Sequence, residues 1–216
     1  KYTPTIALSA TSGSVAYNST ATFTATPTTI SSCIGTLSAA SADTSTVTIT
    51  GGASTSSAAS GSAVTITYKG AAYTTGTKIN VNYAPTDTSN CASATQQQFS
   101  ASVSRIAQTV SYTAQTRTYN GSAQAASGAT TTGNGTISYA YYTNSTCTTQ
   151  TGTTQATGLA ASAGAAPKAA GQWYVIATAA QTNQYNSGSS ACTSYKINKY
   201  TPTIALSATS GSVAYN

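Results

Sequence analysis

The chain has 216 residues, 39% hydrophobic and only 5% charged, with eight Lys or Arg against two acids and a net charge of +6. It holds no His, no Met and no Glu, which excludes imidazole-based catalysis and leaves Asp43 and Asp87 as the whole supply of side-chain carboxylates. The cations (Lys1, Lys69, Lys78, Arg105, Arg117, Lys168, Lys196 and Lys199) never stand side by side, so there is no basic run of the kind a nucleic-acid surface needs.

The first eighteen residues, KYTPTIALSATSGSVAYN, recur without change as residues 199–216. A repeat of that length is not chance. It points to a unit of 198 residues that recurs in tandem, with the final eighteen as the first strand of the next copy. From there the chain alternates with period two. Phe23 and Ala25 share one face of TATFTATP, Val47 and Ile49 one face of TVTITG, Val64, Ile66 and Tyr68 one face of AVTITYKG, and Ile79, Val81 and Tyr83 one face of GTKINVNYAP. Each run leads into turn-forming residues, at Pro27, Gly51-Gly52, Lys69-Gly70 and Pro85. Ser and Thr fill about a third of all positions, and Thr on the outer faces keeps these runs β-favouring without charge.

The second half repeats the pattern in other words. Val110 and Tyr112 lie inward in TVSYTA, Ile137, Tyr139 and Tyr141 in TISYAYY, and Trp173, Val175 and Ala177 in GQWYVIATA. Turns are expected at Asn120-Gly121, Gly133-Asn134-Gly135 and Gly188, and a long mobile loop from Thr151 to Pro167. Low charge and few large aliphatics can signal disorder, but fifteen Tyr and regularly placed Val and Ile argue for folded strands. The expectation is an all-β chain of two tandem Ig-like β-sandwich domains at 1–106 and 107–198, followed by a strand at 199–216. The domain junctions near Arg105–Gln108 and Lys196–Lys199 lack a Gly/Pro linker, so a semi-rigid array is expected. There is no signal peptide and no apolar run long enough to span a membrane in this segment.

Four cysteines, Cys33, Cys91, Cys147 and Cys192, contain no C-x-x-C pair, and without His a zinc site would need all four thiolates. Two disulfides in an oxidising compartment are the better reading. One pair per half suggests Cys33 with Cys91 and Cys147 with Cys192. Each loop would be worth about 4 kcal/mol in the chain-entropy picture.

TPTIALSATSGSVAYNSTATFTATP and YTTGTKINVNYAPTDTSNCASATQQQFSASV resemble bacterial Ig-like repeat domains of surface proteins. TYNGSAQAA and APKAAGQWYVIATAAQTNQYNSGSS are similar to the MBG family of bacterial Ig-like domains, with Pro167, Gly171 and Trp173 in that pattern. The resemblance implies stalks of adhesins and other surface or secreted proteins, and it carries no catalytic residues. The cysteine pairs depart from many such repeats.

Asp43 and Asp87 sit in polar, turn-like sequence and are expected to cap turns. Two acids cannot furnish a calcium site, no phosphate-binding glycine loop is present, and no metal, cofactor or enzymatic activity is expected. A Lys78–Asn isopeptide bond beside Asp87 is conceivable, but an exposed Lys78 is the plainer reading. Four N-x-S/T sequons mark possible glycosylation at Asn18, Asn120, Asn134 and Asn144. Alternation leaves Tyr142 and Tyr174 outside, as possible contacts to a sugar or a neighbouring fibre. The expected role is a structural repeat unit of a long extracellular or cell-surface fibre, with adjacent copies of the repeat as partners and no nucleic acid. The alternatives are a carbohydrate-binding module, or a filament subunit that assembles by strand addition through 199–216.

Overall fold

The computed structural model describes residues 1–149 and 166–205. The loop expected over Thr151–Pro167 falls almost wholly outside these residues, as does the terminal segment from residue 206. The chain divides into two compact units. The first comprises Lys1–Gln108 with the short segments Gly133–Gly135 and Ala180–Gly188, and the second holds the remaining described residues.

The first unit contains nine strands: β1 (Thr5–Leu8), β2 (Ser12–Ala16), β3 (Thr20–Thr28), β4 (Gly35–Ser41), β5 (Val47–Gly51), β6 (Ser54–Ala58), β7 (Val64–Gly70), β8 (Thr74–Pro85) and β9 (Gln97–Ser104). They form two sheets, ordered β1-β3-β7-β5 and β2-β9-β8-β4-β6. Apart from β2 and β6 at the edges of the second sheet, this is the strand order of an immunoglobulin sandwich, with β3, β7 and β5 facing β4, β8 and β9. The opening segment serves both layers, since β1 runs antiparallel to β3 and β2 runs parallel to β9. The inward residues named by alternation build one core, in which Phe23, Ala25, Val47, Ile66, Tyr68, Ile79, Val81 and Tyr83 are buried with Leu37, Phe99 and Val103.

Several expected turns are strand. Pro27 pairs with Ile6 inside β3, and Pro85 pairs with Gly35 at the end of β8. Proline survives there because the ladder on the other side has already ended, at Ala25 in β3 and at Val81 in β8, so the missing N–H leaves no gap. Gly70 ends β7 as a paired residue, opposite Val47. The chain also changes sheets between β5 and β6. Gly52 makes this possible with φ +69°, in a place where a Cβ would run into the Thr65 carbonyl oxygen.

The second unit contains β10 (Val110–Ser111), β11 (Gln115–Thr118), β12 (Thr130–Thr131), β13 (Ile137–Tyr142), β14 (Gly171–Ala179), β15 (Gly188–Ser189), whose first residue belongs to the first unit, and β16 (Thr193–Asn198). One sheet runs β11-β16-β14-β13, with β15 alongside β14, and β10 and β12 form a separate two-stranded ribbon. Its first strand, β11, lies parallel to its last, β16. The buried side chains are Val110, Tyr112, Ala126, Tyr141, Ala166, Val175, Ala177, Ala179, Tyr195 and Ile197, with Tyr139 and Trp173 packed against them. Apart from a single turn of 3-10 helix at Ser31–Cys33, the described residues contain no helix, and none is long and apolar enough to cross a membrane.

Candidate functional site

The chemistry of this chain is concentrated in its staples, its turns and its tyrosines. Cys33 bonds to Cys91 and Cys147 to Cys192, each with Cα atoms 5.8 Å apart. The first bond ties the turn after β3 to the segment between β8 and β9, and both of its residues are buried. The Cys33 carbonyl accepts a hydrogen bond from Thr29 Oγ1 at 3.0 Å and lies 3.2 Å from the Tyr83 hydroxyl, which also donates to the Ala58 carbonyl at 3.0 Å. The second bond ties the turn after β13 to the residue before β16. Cys147 and Cys192 are only half-buried.

Both acids organise their own turns. Asp43 accepts hydrogen bonds from the Ser45 hydroxyl, the Ser45 N–H and the Thr46 hydroxyl, and the Ser45 hydroxyl is the main cause of a pKa below the usual carboxylate value. Asp87 accepts from the Asn90 side chain, the Asn90 N–H and the Ser89 N–H, and its pKa is lowered chiefly by the Asn90 amide. These are self-contained turn motifs. Lys78 is exposed, so no buried acid–lysine arrangement exists at Lys78 and Asp87.

The four sequon asparagines divide by what their side chains do. Asn144 supports its own loop: its amide nitrogen donates to Thr146 and Thr148 Oγ1 at 2.7 and 2.6 Å, and its oxygen accepts from the N–H groups of Thr148 and Thr149. Asn134 donates to Gln184 Oε1 at 3.2 Å and accepts from the Thr182 hydroxyl at 2.9 Å. Asn120 accepts from the Ser122 N–H and the Gln124 amide. Asn18 is exposed at a left-handed turn with φ 63°, and its N–H donates to the Gly70 carbonyl at 2.8 Å.

Alternation misplaces Tyr142. It was expected outside, but it is 8% exposed, while Tyr174, directly opposite it on β14, is half-buried. Tyr141 and Tyr142 are consecutive and both buried, so both faces of the sheet are covered at the end of β13. A period-two rule holds only where one face is open.

The buried tyrosines of the second unit have a role that alternation does not reveal. Tyr141 accepts a hydrogen bond from the Ala126 N–H at 2.6 Å, Tyr139 accepts from the Ala129 N–H at 3.0 Å, and Tyr195 donates to the Gln124 carbonyl at 3.0 Å. Three phenols thus reach from the sheet to the irregular segment at 124–129 and satisfy its backbone. Burial pushes the Tyr141 pKa up to about 12 and raises those of Tyr112 and Tyr195. Tyr112 Oη is buried without a hydrogen-bond partner among the described residues. An open groove of about 1130 Å³ in this unit is lined by residues that include Tyr119, Asn120, Lys168, Ala170, Lys199 and Tyr200. Sequence reasoning had no signal for it.

No protein-family model matches the chain, and no curated protein matches it. Among solved structures it resembles domains 4 and 5 of the S-layer protein SbsC, at 26% identity over 46% of this chain and 50% of that one, with a TM-score of 0.35. A structure of SbsC domains 4–9 aligns with 91% of this chain and 31% of its own length, at 16% identity and a TM-score of 0.35. The N-terminal Ig1-2 module of the Drosophila receptor protein tyrosine phosphatase DLAR aligns over 90% of this chain and 99% of its own, at 9% identity and a TM-score of 0.28. The chain therefore spans half or less of the length of these S-layer structures.

Proposed function

We propose that this chain is one period of a tandem β-sandwich array, with domains at 1–106 and 107–198 and the opening segment of a further copy at 199–216. Its role is that of a structural repeat in an extracellular or cell-surface fibre or adhesin stalk, supplying reach and resistance to shear and proteolysis. One observation carries the reading: residues 1–18, repeated at 199–216, furnish an edge strand to each of the two sheets of the first unit. An identical segment one period later is the start of another such sandwich. Two further features support a mechanical, extracellular role. Every cysteine is in a disulfide, as suits an oxidising compartment. Both acids are engaged in turns rather than gathered into a reactive site. The natural partners are adjacent copies of the same repeat.

Single-molecule stretching of a chain of several joined periods tests this. The Cys33–Cys91 bond shields a sequence separation of 58 residues from extension. A reductant should therefore lengthen each first-unit unfolding event by about 200 Å, at roughly 3.3–3.6 Å per residue. Regular force peaks with that gain are the expected record. Extension without force peaks would overturn the mechanical role.

A further inference from the structure

We propose that the first unit accepts residues 199–216 of a second copy of this chain in place of its own residues 1–18, so that the repeat can join molecule to molecule by strand exchange. This goes beyond the tandem reading, because it requires no covalent continuity between copies.

The receiving site is visible because its own segment occupies it. β1 and β2 are both edge strands, each with one neighbour, β3 and β9. Their departure breaks one ladder in each sheet and leaves the other strands paired. The segment is held by features that any other sequence would have to reproduce. Ile6 and Val15 are buried in the core, with Leu8 and Tyr17 packed against it. The Tyr2 N–H donates to the Asn90 carbonyl at 2.9 Å, the Ala92 N–H donates to the Tyr2 carbonyl at 2.8 Å, and Lys1 Nζ donates to the Thr88 carbonyl at 2.8 Å. Gly13 passes so close to the core that a Cβ there would lie 2.8 Å from both Phe99 Cζ and Tyr68 Oη. Those rings are buried, and Phe99 is stacked on Phe23 at 4.0 Å, so neither can step aside cheaply.

The donor meets every one of these demands. Lys199, Tyr200, Ile204, Leu206, Gly211, Val213 and Tyr215 stand where Lys1, Tyr2, Ile6, Leu8, Gly13, Val15 and Tyr17 do. Within the described residues, 201–205 belong to no strand. Ile204 is 88% exposed whereas Ile6 is 7% exposed, and Tyr200 is 62% exposed whereas Tyr2 is 36%. The chain thus carries, in residues 199–216, a second copy of the segment that this site is shaped to bury. A sheet edge is a ready-made template for a strand from another molecule. In the intact chain the site's own segment competes at the high effective concentration of a tethered ligand, so exchange emerges when that segment is weakened.

The test uses the full 216-residue chain with Gly13→Val, with Gly211→Val, and with both. Size-exclusion chromatography with light scattering gives the mass, and a labelled synthetic peptide of residues 1–18 reports on the site. Gly13→Val should lose the 21.5 kDa monomer in favour of oligomers that grow with concentration. Excess peptide should return it to single chains carrying one peptide each. Gly211→Val should keep the mass of the unsubstituted chain, and the double variant should stay monomeric while still taking up peptide. If Gly13→Val leaves the first unit unfolded, the peptide should restore its hydrogen-exchange protection. The proposal is overturned if the Gly13→Val chain neither takes up the peptide nor is refolded by it. It is equally overturned if that chain aggregates irrespective of Gly211 and of added peptide. Neither failure touches the tandem reading, which concerns copies joined on one chain.

Discussion

In the first unit Phe23 and Phe99 stack at 4.0 Å within a core of Ile, Val and Leu that also buries Tyr68 and Tyr83. The second unit has no Phe and fills its centre with Tyr112, Tyr139, Tyr141 and Tyr195 between small Ala and Val side chains. The hydroxyls mark the difference. Three of them bond to the backbone at Gln124, Ala126 and Ala129, a stretch with no strand ladder of its own. A sheet whose strands find strand partners needs few such bridges, and in the first unit the Tyr83 hydroxyl supplies them, to the Cys33 and Ala58 carbonyls. One that faces irregular chain needs donors and acceptors carried across the core, and tyrosine supplies volume and a polar tip together. This is how a chain poor in Leu and Phe builds two folded units by different means.

The sharpest way to break the comparison is to remove the aromatic stack. Phe99→Ala should cost the first unit about 3–5 kcal/mol, as for other buried aromatic truncations. The loss should appear as faster amide exchange at Ile66 and Val81, with Val175 and Ile197 in the second unit unchanged.

The staples should differ in accessibility more than in worth. Their sequence separations are 58 and 45 residues, and chain entropy values each bond at about 4 kcal/mol, an upper figure. Because Cys33 and Cys91 are buried while Cys147 and Cys192 are half-exposed, mild reductant with an alkylating trap should label the second pair first. Peptide mapping that found the first pair labelled earlier would contradict the burial argument.

Alkali should separate the units as well. Burial holds the Tyr141 pKa near 12 in the folded state, against an ordinary value of 10.0 in the unfolded chain, and raises Tyr112 and Tyr195. Between those values the folded state binds more protons than the unfolded one. The contribution is therefore complete below about pH 10 and is lost as the pH rises through about 12. In the first unit burial raises the Tyr68 pKa in the same way. Denaturant midpoints read from Trp173, the single tryptophan, should fall across that window, and Tyr141→Phe should flatten the fall.

The smallest effects distinguish bonded from unbonded phenols. Tyr141→Phe strands the Ala126 N–H and should cost about 1–3 kcal/mol. Tyr112→Phe removes an oxygen that has no partner and should be close to neutral. Equal losses in the two variants, measured by denaturant unfolding, would remove the distinction between the cores.

Much of this architecture was legible in the residues. Period-two alternation picked out the inward faces of β3, β7, β8 and β14 because each has one face on a core, and one cysteine pair per half pointed to the two disulfides. Features that depend on distant chain were not legible. Nothing local to Ser12–Ala16 or Gln115–Thr118 announces a parallel partner some 80 residues away. Gly51-Gly52 looks like the end of a strand, whereas it carries the chain from one sheet to the other. Pro27 and Pro85 look like breakers until the one-sided pairing around them is known. Tyr142 follows the outward phase of its strand and is buried nonetheless. Ala126 belongs to the core with its N–H on the Tyr141 hydroxyl of β13, which no pattern around it encodes.

The most direct measurement is hydrogen exchange at Ile204 in a chain extended past Asn216 by a second copy of residues 19–198. If residues 199–216 open a further sandwich, Ile204, which is 88% exposed in the 216-residue chain, should become as slow to exchange as Ile6 in β1. Exchange at Ile204 left unchanged by the added copy, with Ile6 still protected, would contradict the tandem array.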